Sequence, residues 1–248
     1  MHFIKTNRSS FADQLQCEAR GLIALREAAR DSGVDVPEVF HVDEQSLAMT
    51  CIDVGRASPE HWTRLGIGLA AIHDASSGEF GFEQDNYIGL NPQSNAKDAS
   101  WGRFFLERRL QFQVALMSGH RLQGEYARRL QEHGERLREF LDAECKTPAL
   151  LHGDLWNGNV VCGADGSVWL IDPAVYFGDP DADIAMTEMF GGFGPTFYSA
   201  YRKVWPESTK YRSKRAIYNL YHYLNHLNLF GDAYLDGCEA GFVAMEDI

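Results

Sequence analysis

No run in this chain of 248 residues approaches the roughly 18 apolar residues that a membrane-spanning helix needs. The opening MHFIKTNRSS also lacks the apolar stretch of a signal peptide. The five cysteines, Cys17, Cys51, Cys145, Cys162 and Cys238, are odd in number, and no two stand at C-x-x-C spacing. That excludes a disulfide framework and a ribbon-type zinc site. Scattered thiols suit a reducing compartment, so a cytoplasmic location is expected. Positive charge is scarce, with 23 Lys and Arg against 35 Asp and Glu and a net charge of -12. Such a chain repels nucleic-acid backbones, and neither a nucleic acid nor a membrane is expected as a partner. Repeats and low-complexity tracts are absent, and nothing in the sequence specifies an oligomeric state.

What is present suits a globular protein. Apolar residues make up 45% of the chain, enough for a core. HFIKTN reads as a strand, and Phe11 to Ala29 as a helix, with Leu15, Ala19, Leu22 and Leu25 at helical spacing and Ser10 as its cap. Two strands follow, Val39 to Val42 and Ser46 to Ile52, around a turn at Asp43 to Gln45. Ser58 and Pro59 open a helix that runs to Ala75. A Gly-, Asn- and Pro-rich loop covers 78–98, then come helices Trp101 to Met117 and Leu122 to Ala143, a strand-rich centre at 149–172, and mostly helix to the end. The fold class expected is α+β. A small mixed lobe, 1–55, precedes a larger and mainly helical one, 56–248.

The informative stretch is LLHGDLWNGNVVCGADGSVWLIDPAVYFGDPDAD, 150–183. Two apolar runs, Val160 to Cys162 and Val168 to Ile171, flank Gly163 to Gly166 and form a hairpin. Counting outward from Asp165 pairs Asn159 with Ile171, so Asn159 and Asp172 emerge side by side at its open end. Asp154 lies five residues before Asn159. Phosphoryl transfer requires such a set. Magnesium takes oxygen ligands, one or two of them from protein. Asn159 and Asp172 are the candidate metal ligands, and Asp154 is the candidate base for an attacking hydroxyl. The D-x4-N spacing followed by a metal-binding Asp is that of the protein-kinase catalytic loop, with H-G-D for H-R-D and I-D-P for D-F-G. His152 is expected to brace the loop. Kinases of this fold also pair a strand lysine with a helix glutamate. Lys5 in the first strand and Glu18 in the next helix stand in that order.

On these residues the sequence resembles the fructosamine kinase (ketosamine kinase) family, relatives of the aminoglycoside phosphotransferases. The pieces that carry the resemblance are HGDLWNGN at 152–159, IDPAVYFGDPDADIAMTEMFGGF at 171–193, DNYIGLNPQSN at 85–95 and YNLYHYLNHLNLFG at 218–231. The resemblance implies a protein-kinase-like two-lobe fold and ATP-dependent phosphorylation of a ketosamine 3-hydroxyl. The acceptor would be a ribulosamine, erythrulosamine or fructosamine, on a small amine or on a glycated protein lysine. It implies Asp154 as base, Asn159 and Asp172 as Mg2+ ligands, and Lys5 with Glu18 as the phosphate pair. Trp156 either stacks on the sugar or packs in the core. Asp183 braces the catalytic loop. The segment 47–52 falls where a kinase hinge meets adenine, making Thr50 and Ile52 nucleotide-contact candidates.

One departure stands out. In this fold two strands and a phosphate-covering loop precede the lysine, and here only four residues do. The expectation is a shortened N-terminal lobe, or a recorded start internal to a longer gene product. GGFG at 191–194 follows a helix and reads as its stop, not as a replacement loop. His222 and His226 have zinc-helix spacing without the glutamate of H-E-x-x-H, and their aromatic surroundings read as a packed helix. Phe80, Phe82 and Tyr87 read as pins of the 78–98 loop before acceptor contacts. Two other functions remain open: a kinase for another small hydroxyl compound such as an aminoglycoside, and a truncated fold that binds a ligand without transferring phosphate.

Overall fold

A computed structural model describes residues 2–248. Strand β1 (His2–Thr6), helix α1 (Gln14–Ala28), β2 (Val39–Val42) and β3 (Ser46–Thr50) come first. The strands form an antiparallel sheet in the order β1-β3-β2, with Lys5 opposite Leu47 and Thr6 opposite Ser46. Helix α1 starts later than its apolar spacing suggested, and Ser10 does not cap it. Asn7 Oδ1 accepts the Ser9 N–H at 2.9 Å, and this turn occupies the residues before Asp13, where the helix is entered. Strand β3 also ends two residues short of Ile52, because the chain leaves the sheet to pair elsewhere: Gly55 N–H donates to Cys162 O at 2.7 Å and Ala164 N–H to Asp53 O at 2.9 Å.

Helix α2 (Pro59–His73) begins at a capping box in which His61 takes the usual Glu position. The loop after it contains a ribbon, β4 (Asn86–Ile88) and β5 (Asn91–Gln93). The expected helix from Trp101 is continuous but not uniform: α3 (Trp101–Phe104), a π-helical stretch Phe105–Gln111, then α4 (Phe112–Leu116). Helix α5 (Gln123–Glu144) leads into β6 (Ala149–Leu151), β7 (Val160–Cys162), β8 (Val168–Leu170) and β9 (Tyr176–Gly178). Helices α6 (Pro180–Thr187), α7 (Pro195–Tyr201), α8 (Tyr211–Phe230) and α9 (Leu235–Glu246) complete the chain. Gly191 and Gly192 lie in the turn beyond α6, both at positive φ.

Two apolar clusters hold these elements. One buries Leu15, Leu22, Leu25, Leu47 and Met49 with Leu65, Leu69, Leu150, Val168, Leu170, Ile184 and Phe197. The first sheet and α1 thus share a core with α2, α7 and the β7–β8 hairpin. The close approach of α2 to α7 requires Gly66, where a Cβ would stand 2.4 Å from Phe197 O. The second cluster gathers Trp101, Phe104, Phe105, Leu137, Tyr176, Tyr218, Tyr221 and Phe242. The 152–175 segment runs between the two. No helix among the described residues is long and apolar enough to cross a membrane.

Candidate active site

The β7–β8 hairpin closes with Val160 opposite Leu170. One step further out, Ile171 N–H donates to Asn159 O at 3.1 Å, so the register runs on to the pair counted from the sequence. Asn159 Nδ2 reaches back to Asp154, 2.8 Å from its backbone carbonyl and 3.1 Å from Oδ2. Its side-chain oxygen Oδ1 accepts no hydrogen bond from the described residues and remains available. Asp172 Oδ1 lies 2.9 Å from Lys5 Nζ, and the same ammonium holds Glu18 Oε1 and Oε2 at 2.9 and 2.8 Å. Lys5, Glu18, Asp154, Trp156, Asn159 and Asp172 line one cavity of about 190 Å³.

His152 shows why a histidine suits the head of this loop. Its Nε2 donates to Ile171 O at 2.9 Å, which leaves Nδ1 to accept the Asp154 N–H at 3.3 Å. A neutral ring does both, and burial holds this imidazole below its usual range. Gly153 has φ of 83° and lies so close to the next segment that a Cβ would sit 2.0 Å from Ala174 O. Asp183, near the middle of α6, accepts the N–H groups of His152 at 2.7 Å and Gly153 at 2.9 Å. His73 Nε2 stands 3.3 Å from the same carboxylate, with His73 Nδ1 on the Tyr201 hydroxyl at 2.8 Å. Burial pushes the Asp183 carboxyl up, but the His73 bond, the nearby imidazoles and the backbone donors outweigh it and hold it below the aspartate range.

Replacing Asp183 by Ala leaves two buried N–H donors unsatisfied, so a loss of about 3 kcal/mol or more in chemical denaturation is expected. Because folding makes this carboxyl easier to ionise, it gives stability that is present at neutral pH. That part is lost as pH falls below the ordinary aspartate range, and the Ala variant should not show it. Equal denaturation midpoints at neutral pH would contradict the bracing reading.

The charges in the cavity are unbalanced. Three carboxylates, Glu18, Asp154 and Asp172, face one ammonium. Burial pushes Asp154 up to about 7, aided by Asp172 and Asp183 and opposed by the Asn159 bond. Burial also raises Glu18 to about 7 against the pull of Lys5, and the Asp172 charge adds to the rise. Burial works against the Lys5 charge, but its two carboxylate partners prevail and hold it above the usual lysine range.

Trp156 is 37% exposed and so is not a core residue. Its ring stands edge-on to Phe190 at 5.9 Å and faces the cavity. Phe80 is buried against Trp101, Phe82 packs near Phe177, and Tyr87 lines the cavity with its hydroxyl on Asp13 at 2.6 Å. The structure does not bring Thr50 or Ile52 to this cavity. The Thr50 N–H donates to Glu38 O at 3.0 Å and its hydroxyl oxygen accepts the Glu38 N–H at 3.0 Å, so both groups are turned toward Glu38. His226 Nδ1 lies 2.7 Å from His222 O, a bond within the helix. Sequence reasoning missed Gln14, Cys17, Asn86 and Gly89 as lining residues, and His73 as the partner of Asp183. Asn86 and Gly89 carried a signal, through their place in the 85–95 stretch.

A profile described as fructosamine kinase matches residues 1–244. A Synechocystis protein described as a ketoamine kinase is 39% identical over 238 residues, 94% of this chain and 79% of its own. A chloroplastic protein-ribulosamine 3-kinase of Arabidopsis thaliana is 38% identical over 241 residues, 94% of this chain and 72% of its own. Among solved structures, one described as a fructosamine-3-kinase from Thermobifida fusca superposes with a TM-score of 0.88 at 31% identity, over 100% of this chain and 86% of that one. The streptomycin–ATP–APH(2")-IIa ternary complex shares the fold alone, with a TM-score of 0.62 at 16% identity over 100% of this chain and 85% of that one. The fold is therefore protein-kinase-like, and the chain belongs to the fructosamine kinase family of phosphotransferases.

Proposed function

We propose that this chain phosphorylates the 3-hydroxyl of a ketosamine at the expense of Mg–ATP. The single observation that carries the reading is the convergence of Asp154, Asn159, Asp172 and the Lys5–Glu18 pair on one small cavity. The relatives described as ketoamine and ribulosamine 3-kinases support the acceptor class and the position of the hydroxyl.

Each side chain has a task. Asp154 accepts the proton of the attacking hydroxyl and orients its oxygen. Lys5, held by Glu18, presents its ammonium to the nucleotide phosphates. The excess of carboxylate in the cavity suits a divalent cation, which Asn159 Oδ1 and the Asp172 carboxylate would hold. Among the described residues no group of three or more His, Cys, Asp or Glu forms a metal cage. A cage is not needed, since Mg2+ keeps most of its shell as water and phosphate oxygens. When bound, the ion supplies charge neutralisation at the phosphates. Trp156 offers its exposed ring to the apolar face of the sugar. His152 and Asp183 keep the loop in shape. Residues 1–55 form the nucleotide side of this reading, and 56–248 the catalytic and acceptor side.

The test is ADP release with Mg–ATP and a panel of ribulosamine, erythrulosamine and fructosamine derivatives of lysine, free and on protein. Acceptor-dependent release is expected. Release with an aminoglycoside and with no ketosamine would move the reading to the other acceptor class, and nucleotide binding without any release would make the chain a binder.

The pH profile is a separate expectation. The base acts ionised, so kcat/KM should fall as pH drops below about 7, where the free Asp154 takes up its proton. A cation on Asp172 favours the ionised Asp154, so the acid limb of kcat should lie at lower pH than that of kcat/KM. The stability sign is the reverse. The folded state holds this proton more tightly than the unfolded chain, so Asp154 costs stability as pH rises from the aspartate range to about 7. Coincident acid limbs for the two parameters would contradict the assignment.

A further inference from the structure

Asp172 has φ at 52°, a conformation that a non-glycine residue adopts at a cost unless its neighbours fix it. The peptides on both sides of it are anchored. Upstream, Ile171 N–H donates to Asn159 O at 3.1 Å and Ile171 O accepts His152 Nε2 at 2.9 Å. Downstream comes Pro173, which limits the rotation available to the residue before it. The next residue, Ala174, is gripped twice. Its N–H donates to His152 O at 2.9 Å, and its carbonyl accepts Gln93 Nε2 at 3.0 Å.

Gln93 is 1% exposed and lies outside the cavity lining. Its amide hydrogens are shared between Ala174 O and Asn86 Oδ1, the latter at 2.7 Å, and its carbonyl oxygen accepts the Tyr221 hydroxyl at 2.6 Å. Asn86 Nδ2 in turn donates to Val175 O at 2.9 Å. Asn95 Nδ2 also reaches Asn86 Oδ1, at 2.8 Å, and buried Arg109 holds Asn95 Oδ1 at 2.8 Å. The β4–β5 ribbon thus grips the backbone after Asp172 through side-chain amides that are themselves tied to α8 and the π-helical stretch. A ribbon needed only to cover the core would be better served by apolar side chains, because each buried amide is costly unless it is fully paired.

We propose that Gln93 is a positioning residue for Asp172, acting through the Ala174 carbonyl to keep the carboxylate aimed at the metal. The inference rests on the reading of Asp172 as a magnesium ligand. It assigns a role to the 85–95 stretch, which loop pinning alone leaves without a link to the chemistry.

The experiment compares the full chain with Gln93→Leu and Tyr221→Phe. It measures the Mg2+ concentration for half-maximal binding of a non-hydrolysable ATP analogue, together with acceptor KM and thermal melting. Loss of a partner bonded directly to a ligand lowers metal affinity by about tenfold or more; Gln93 acts two residues away, so Gln93→Leu should raise the half-saturating Mg2+ by up to about tenfold. Acceptor KM should stay near that of the wild type. Tyr221→Phe frees only the far end of Gln93 and should shift the Mg2+ dependence in the same direction by less; it decides the matter if Gln93→Leu does not fold. Folded variants with lower melting temperatures and an unaltered Mg2+ dependence would reduce Gln93 to a core amide and overturn the inference alone. Analogue binding that ignores Mg2+ in the wild type would overturn the metal reading and this inference with it.

Discussion

Asp154→Asn should lower kcat by about a thousandfold, the middle of the range for loss of a general base, while Mg–ATP affinity stays close to that of the wild type. The substitution is nearly isosteric. An asparagine at this position can still accept from Asn159 Nδ2, which bonds the Asp154 backbone carbonyl as well, and the loop geometry rests on His152, Gly153 and Asp183. What disappears is the ability to take a proton. The variant also removes a buried group that resists ionisation, so its fold should be no less stable at pH 8 than the parent's. Single-turnover measurements separate the chemical step from release, and equilibrium titration reports nucleotide affinity independently. Near-normal turnover would mean that the hydroxyl loses its proton elsewhere, and Asp154 would have to be reassigned.

How much of this was readable from residues alone depends on how local each feature is. The β7–β8 hairpin was legible because its register follows from two apolar runs and a turn, and the Asn159–Ile171 contact needs only counting. The Lys5–Glu18 pair was suggested by strand and helix order, and the two side chains do meet. Thr50 shows the limit of arguing from order. It lies in the stretch where a hinge was expected, and order gave no hint that its N–H and hydroxyl oxygen pair with Glu38. The cap at Ser10 failed for a local reason of the same kind, a competing Asn7–Ser9 turn. His73 had no sequence signal and Gln93 only its place in the 85–95 stretch, because their partners, Asp183 and Ala174, are brought to them only by helix and ribbon packing. The stretch 85–95 could be noted, but its amides become meaningful only against the carbonyls of 174 and 175.

Asp172→Ala should abolish the Mg2+ dependence of nucleotide binding and weaken that binding by about a hundredfold or more in magnesium buffer, since Asn159 alone is a poor ligand for a hard cation. The fold should persist. The Asp172 side chain is 47% exposed, and Lys5 keeps Glu18 when Asp172 is gone. Two consequences separate this from general damage. Lys5 is freed of one of its two carboxylate partners, so residual ATP binding measured in chelator should be equal to or tighter than that of the wild type, in which Asp172 competes with the phosphates for the ammonium. Glu18 also loses the charge that helps to raise it, so it should titrate below about 7 in the variant. Wild-type affinity in magnesium buffer would show that the ion is held without Asp172. Equal losses with and without magnesium would point to collapse of the 171–175 backbone instead of a missing ligand, and melting curves tell that case apart. The pattern expected from an oxygen ligand is a large loss with magnesium, none without it, and an unchanged melt.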